Sequence, residues 1–143
     1  MKLMALLLCF APAAALAGPR PPSRQPLYFA VELRKDGRVV GAPRLLGLEG
    51  RPITVERRQP GAERYDYRLV LQPNLVGGRY RVGLDVDVPG AQGHSDVTLL
   101  HGEVKRLEVG PIQVELMVLK VDSPEFRALM DAAGRERAAG ESI

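Results

Sequence analysis

The chain has one cysteine, Cys9, and no tryptophan. Cys9 lies in the N-terminal segment MKLMALLLCFAPAAALA, which has the zones of a secretory leader. Lys2 supplies the positive start, Leu3 to Ala15 are apolar, and Ala15-Leu16-Ala17 is a small-x-small cleavage signal before Gly18. Cleavage after Ala17 leaves no thiol, so neither a disulfide framework nor cysteine chemistry is expected in the exported product. Leu8 occupies the position where lipid attachment at Cys9 would need a small residue. The apolar run is short for a membrane span, and no later stretch is a candidate.

Histidine is scarce as well, with only His94 and His101, and serine is limited to Ser23, Ser95, Ser123 and Ser142. No HxH, HExxH or CxxC spacing exists to announce a metal site. No serine stands in a GxSxG context, and His94 beside Ser95 is no triad, because nucleophile and base meet through the fold. Gly77-Gly78 lacks the lysine of a phosphate loop. Charge of one sign is also lacking. Once Lys2 leaves with the leader, nineteen basic residues face seventeen acids, and the basic ones are spread along the chain. That excludes the concentrated basic face of a nucleic-acid binder.

What is present is alternation. Arg64 to Val88 reads RYDYRLVLQPNLVGGRYRVGLDVDV. Tyr65, Tyr67, Leu69 and Leu71 alternate with polar residues, and Tyr80, Val82, Leu84, Val86 and Val88 do so again after Pro73 to Gly78. Period-two patterning of this kind marks half-buried strands, and two such runs make an antiparallel hairpin. For both apolar rows to share a face, paired residue numbers must sum to an odd value. A sum of 153 sets Tyr67 against Val86, Leu69 against Leu84, Leu71 against Val82 and Arg68 against Asp85. A sum of 151 would oppose Asp66 to Asp85, so 153 is the expected register.

The other segments follow the same pattern. Gly18 to Pro26 (GPRPPSRQP) is a proline-rich spacer. Leu27 to Arg34 is a strand, Asp36-Gly37 a hairpin turn, and Val39 to Leu48 the return strand. Pro43 places that return strand at a sheet edge or a bulge. Arg51 to Arg58 is a third strand with Ile53 and Val55 inward. Pro89 to Gly93 is a loop, and His94 to Leu100 pairs with Glu103 to Val109. In Ile112 to Val121, Ile112, Val114 and Leu116 lie on one face but Met117, Leu119 and Val121 on the other. Either a bulge rotates this strand or its end is covered on both sides. Ser123 caps a helix over residues 124–133 with Pro124 first, and Phe126, Leu129, Met130 and Ala133 form its apolar stripe. That stripe is expected to dock on the protein's own sheet. Residues 135–143 are a polar tail.

The predicted architecture is mainly β: an antiparallel β-sandwich or strongly curved sheet with one C-terminal helix. One domain spans residues 27–134, after a leader at 1–17 and a spacer at 18–26.

Several residues invite chemistry. His94, His101, Asp85, Asp87 and Asp96 could be assembled into a metal site, but their spacing does not support one. Asp85 and Asp87 share a strand face about 7 Å apart, a separation at which paired carboxylates act on sugars. Arg79 and Arg81 share that face and suit a solvated, charge-balanced surface. No residue is assigned a catalytic, cofactor-binding or metal role, and no cofactor is expected.

From Gly41 to Val88 the order of features resembles part of the C-terminal domain of secretins, the outer-membrane channels of type II and type III secretion and of type IV pili. Ala42-Pro43-Arg44-Leu45-Leu46 matches its Pro-Arg-apolar strand, and Gly50 to Val55 (GRPITV) its short β-arm. Leu69-Val70-Leu71-Gln72-Pro73 matches an apolar strand ending in proline, and Arg79 to Val86 its return strand. The ring-forming periplasmic domains and the amphipathic lip of secretins have no counterpart here. The resemblance therefore implies a secretin-like fragment, a small accessory protein or convergent hairpin chemistry, not a channel, and carries over no functional residue.

Three functions are thus expected, in order. The first is a non-enzymatic, periplasmic or secreted β-domain that binds another cell-envelope protein, with the Pro43 strand as a candidate edge. The second is a small-ligand or glycan binder that stacks its ligand on Tyr28, Tyr65, Tyr67 or Tyr80. The third is a hydrolase built around Asp85, Asp87 and His94.

Overall fold

The computed structural model describes residues 24–140. The expected leader and its cleavage point, all of the spacer except its last three residues, and residues 141–143 of the tail lie outside that range. Nine strands and one helix are described: β1 (Pro26–Lys35), β2 (Arg38–Gly41), β3 (Arg44–Leu48), β4 (Ile53–Arg57), β5 (Tyr67–Val76), β6 (Arg79–Val88), β7 (Ala91–Leu99), β8 (Val104–Val109), β9 (Ile112–Lys120) and α1 (Pro124–Gly140).

All pairing is antiparallel, in two sheets. Sheet A is ordered β2-β1-β9-β8, and β3 joins β1 on the same side as β2; sheet B is ordered β4-β5-β6-β7. The chain changes sheet between β3 and β4 and again between β7 and β8, so the expected pairing of His94–Leu100 with Glu103–Val109 does not form: β7 pairs with β6 and β8 with β9. Alternate residues of β1 (Leu27, Phe29, Val31, Leu33) and β9 (Ile112, Val114, Leu116, Val118) meet Leu69, Leu71, Tyr80, Val82, Leu84 and Val86 from sheet B in one buried cluster. The expected mainly-β sandwich with a C-terminal helix is the fold observed, and the period-two rows are its cause: each strand hides one row between the sheets.

The central hairpin differs from expectation by two residues. Arg68 opposes Asp87, Leu69 opposes Val86 and Leu71 opposes Leu84, a sum of 155. The strands do not stop at Pro73. They run on to Val76 and Arg79 and close through Gly77-Gly78, whose φ angles of 59° and 77° suit a two-residue turn. That turn fixes Val76 against Arg79 and hence every later pair. Parity is kept, so the apolar rows still face inward, and Arg68 still meets an acid. Pro73 fits because its missing N–H points away from β6, on the side where its carbonyl accepts the Gly50 N–H at 2.8 Å.

Pro43 divides the expected single return strand into β2 and β3, both at the edge beside β1, with a bulge in the ladder at Leu33/Arg34. The Pro89–Gly93 loop shrinks to a turn at Pro89-Gly90, and β7 starts at Ala91 opposite Val88. Gly93 therefore belongs to a strand. A Cβ there would lie 2.9 Å from the Val109 carbonyl carbon, so this glycine lets β7 cross the β8–β9 turn.

The ladder of β9 is unbroken on both sides, so no bulge rotates it. Leu119 is buried on the outer face of sheet A, away from the main core. Ser123 Oγ accepts the Phe126 N–H at 3.2 Å and donates to the Lys120 carbonyl at 2.6 Å, so the helix starts where capping predicts. It runs past Gly134 to Gly140, and none of its residues is buried. Docking on the sheet includes the first turn, where the Phe126 ring lies 5.3 Å from that of Tyr28; farther along the stripe Leu129 and Ala133 are half-buried and Met130 is exposed.

Candidate functional site

Two outer surfaces hold the residues of interest. On the solvent face of sheet B, β6 presents Asp85 and Asp87 and β7 presents Gln92, His94 and Asp96. Register sets His94 directly opposite Asp85, and His94 Nδ1 lies 2.7 Å from Asp85 Oδ1. Its Nε2 is 3.7 Å from Asp96 Oδ2, and that carboxylate is 3.9 Å from Arg81. The hydrogen bond to Asp85 is the main cause that raises the His94 pKa above the ordinary imidazole value; desolvation opposes it, and the charges of Asp85 and Asp96 add to the rise.

Asp87 is engaged separately. Tyr65 donates its hydroxyl proton to Asp87 Oδ2 at 2.6 Å, and this bond raises the tyrosine pKa. The Arg58 guanidinium sits 5.8 Å from the Tyr65 ring centre. A shallow depression of about 610 Å³ is lined by Arg68, Asp85, Asp87, Gln92 and His94 among others.

Asp85, Asp87, Asp96 and His94 thus come together, as sequence parity allows. His101 does not join them. It lies in the β7–β8 turn, where its Nδ1 accepts the Lys120 N–H at 3.1 Å and its Nε2 is 3.1 Å from Glu125 Oε2. The ring therefore carries its proton on Nε2 and donates it to Glu125. The Glu125 pKa is lowered, first by its own backbone N–H and then by this bond. His101 thus ties the first turn of α1 to β9. Among the described residues, no group of three or more His, Cys, Asp or Glu side chains is placed to hold a metal ion. Ser95 sits opposite Leu84, on the other face of β7 from His94. Ser123 is the helix cap, and Ser23 and Ser142 lie outside the described residues.

The tyrosines do not form a stacking platform. Tyr28, Tyr67 and Tyr80 are buried, which leaves Tyr65 half-buried at the rim of sheet B.

The second surface is the outer face of sheet A. Rows of side chains cross this face strand by strand. Leu46, Tyr28 and Leu119 form one row, and Arg44, Ala30, Met117 and Val104 form the next. Solvated faces of antiparallel sheets are ordinarily polar. Here Phe126 of α1 packs on Tyr28 and Leu119 is buried, while Leu46 stays 66% exposed and Val104 52%. Met130, on the apolar stripe of α1, is also exposed. The next rows up, Glu32 with Glu115 and Arg106, return to charge. The switch in facing at Met117 and Leu119 signals this band in the sequence, but not which of its members the helix leaves bare.

The residues of the secretin resemblance fall on β3, β4, β5 and β6 and so span both sheets. In comparison with known proteins, no family model, no curated protein and no solved structure matches this chain.

Proposed function

We propose that this chain is an exported, non-enzymatic β-domain that binds another cell-envelope protein through the apolar band on the outer face of sheet A, beside α1. The observation that carries this is the pairing of Leu46 and Val104, both more than half exposed, with an under-covered helix stripe on a face that should be polar. An exposed apolar patch rimmed by charge is the usual mark of a protein-binding surface. Fully burying a leucine or valine side chain contributes about 1.5–3 kcal/mol, so Leu46 and Val104 are the side chains of this broad face that gain most from being covered. The secretin-like order of residues 41–88 makes components of a secretion channel the first partners to test.

The experiment is site-specific photo-crosslinking in intact cells. Probes at positions 46, 104 and 130 should yield one common adduct, and a probe at position 96 on sheet B should not. Leu46→Glu should abolish that adduct at position 104 while the far-UV circular dichroism stays that of the parent. Equal labelling at all four positions, or none at the first three, refutes the reading.

A small polar ligand in the depression beside His94 is the second reading, favoured by the Asp85–His94 pair and the neighbouring Arg68. Shifts of the His94 ring resonances on adding mono- and disaccharides would support it.

A further inference from the structure

We infer that the end of the sandwich at which β1 begins docks on an anionic lipid surface, through a site separate from the apolar band of sheet A. Leu75 and Val76 occupy the last rungs of the β5–β6 hairpin before Gly77-Gly78, and they are 43% and 61% exposed. Leu75 opposes Tyr80, Tyr80 opposes Leu99, and Leu100 follows at 48% exposure. Tyr80 is the last buried side chain in this direction. It holds the end of the core, and its hydroxyl donates to Gln25 Oε1 at 3.3 Å. Beyond it, three apolar side chains stand on two neighbouring loop tips.

The charge around these tips is unbalanced. Glu103 is held by Lys105 at 3.3 Å and by the Leu100 N–H. Arg24, Arg51, Arg79 and Lys120 have no ion-pair partner among the described residues. The acids at this end are Glu49 and Asp122, whose charges reach Tyr80, and Glu103, which Lys105 engages and whose pKa Arg79 also helps to lower. A stable protein interface needs about 800 Å² of continuous surface on each partner, and three side chains on two loop tips present a point instead. An apolar point within a basic collar matches the chemistry of an anionic bilayer surface: side chains enter the headgroup boundary while arginine and lysine meet lipid phosphates. Among the described residues, the opposite end has one exposed large apolar residue, Val39, near the Asp36-Gly37 turn.

The test is co-sedimentation of the exported, processed chain with phosphatidylcholine vesicles that contain or lack phosphatidylglycerol. The parent should pellet with the anionic vesicles only and be released by high salt. The double variant Leu75→Glu/Val76→Glu should lose about tenfold or more in binding, and Val39→Glu should bind as the parent does, with unchanged circular dichroism in both. The inference is overturned if the parent does not pellet with anionic vesicles, or if the double variant binds like the parent. Equal loss in Val39→Glu, or a tip that crosslinks to protein in cells while the parent ignores vesicles, also overturns it. Leu46→Glu separates this inference from the protein-binding proposal, because it should leave vesicle binding intact.

Discussion

Gly93 gives the sharpest test of how the two sheets fit. It sits within β7 opposite Val86. A Cβ built there meets the Val109 carbonyl carbon at 2.9 Å and the Gly110 nitrogen and Val109 oxygen at 3.0 Å. Carbon atoms pack best at about 3.5–4.0 Å, so alanine needs more than half an ångström that the structure does not have. The obstructing atoms are main chain, in a turn closed by the Val109–Ile112 pair and Gly110 at φ 61°. They cannot yield as a side-chain tip would. Overpacking of this kind costs about 1–3 kcal/mol, while replacing glycine stiffens the unfolded chain and returns about 0.4–1 kcal/mol. The net expectation for Gly93→Ala is a loss of about 1–2 kcal/mol, or a Tm lower by about 4 °C per kcal/mol at this size. Gly83→Ala is the control. Its Cβ would lie 3.2 Å from Asp96 Oδ1, the end of an exposed side chain that can swing away. That variant should stay within about 0.5 kcal/mol of the parent. Urea unfolding followed by far-UV circular dichroism reads both, with the m-value as a check that the two-state slope holds. Gly93→Ala matching or exceeding Gly83→Ala in stability would refute the proposed crossing of β7 over the β8–β9 turn.

Three further outcomes follow from particular contacts. Leu71→Ala removes a fully buried side chain from the layer between the sheets and should cost about 2–5 kcal/mol in the same urea titration. Ser123→Ala deletes the cap on Phe126 and should cost about 1 kcal/mol, read as faster amide exchange confined to the first turn of α1. His94 should titrate above the ordinary imidazole value because its cation is held by Asp85. A raised folded-state pKa means that the contribution of this pair is complete below the unfolded value and fades as pH rises through the folded one. An NMR titration of the His94 ring should show this, and Asp85→Asn should bring the midpoint down; a midpoint at or below the ordinary value in the parent contradicts the pair.

The strand pattern was legible because burial between two sheets selects alternate residues, and alternation is written directly in Leu69-Val70-Leu71 or Val82-Gly83-Leu84. The register was legible only to parity. Side chains report which face they occupy, whereas the rung is fixed by the turn, and Pro73 made the last part of β5 resemble a loop. A proline ends a strand only where its missing N–H would be required. At Pro73 that side of the strand meets the Gly50 turn, whose N–H donates to the proline carbonyl and asks for no donor in return. The helix was legible at its start and not at its end. Ser123-Pro124 is a local signal, but no local signal tells whether Leu129 and Met130 find a sheet beneath them.

The surfaces follow from the same distinction between face and coverage. Parity placed Asp85 and Asp87 on one strand face, and the structure brings His94 beside them from β7 and pairs Asp85 with His94 and Asp87 with Tyr65, which satisfies these groups locally. Parity also set Met117 and Leu119 apart from the inward row, and the register adds Leu46 to their face, which among the described residues α1 covers through Phe126 on Tyr28. The polar face closes its own hydrogen bonds, while the apolar face is left part-covered. Water solvates the first at no cost, but each bare leucine or valine on the second still gains from leaving it. The unmet driving force lies on the outer face of sheet A, and for that reason position 46 ranks ahead of position 94 as the place to break function first. Leu46→Glu should remove a partner while unfolding stability holds within about 0.5 kcal/mol, as expected at an exposed site. Loss of stability together with loss of the partner would mean that the band serves the fold alone.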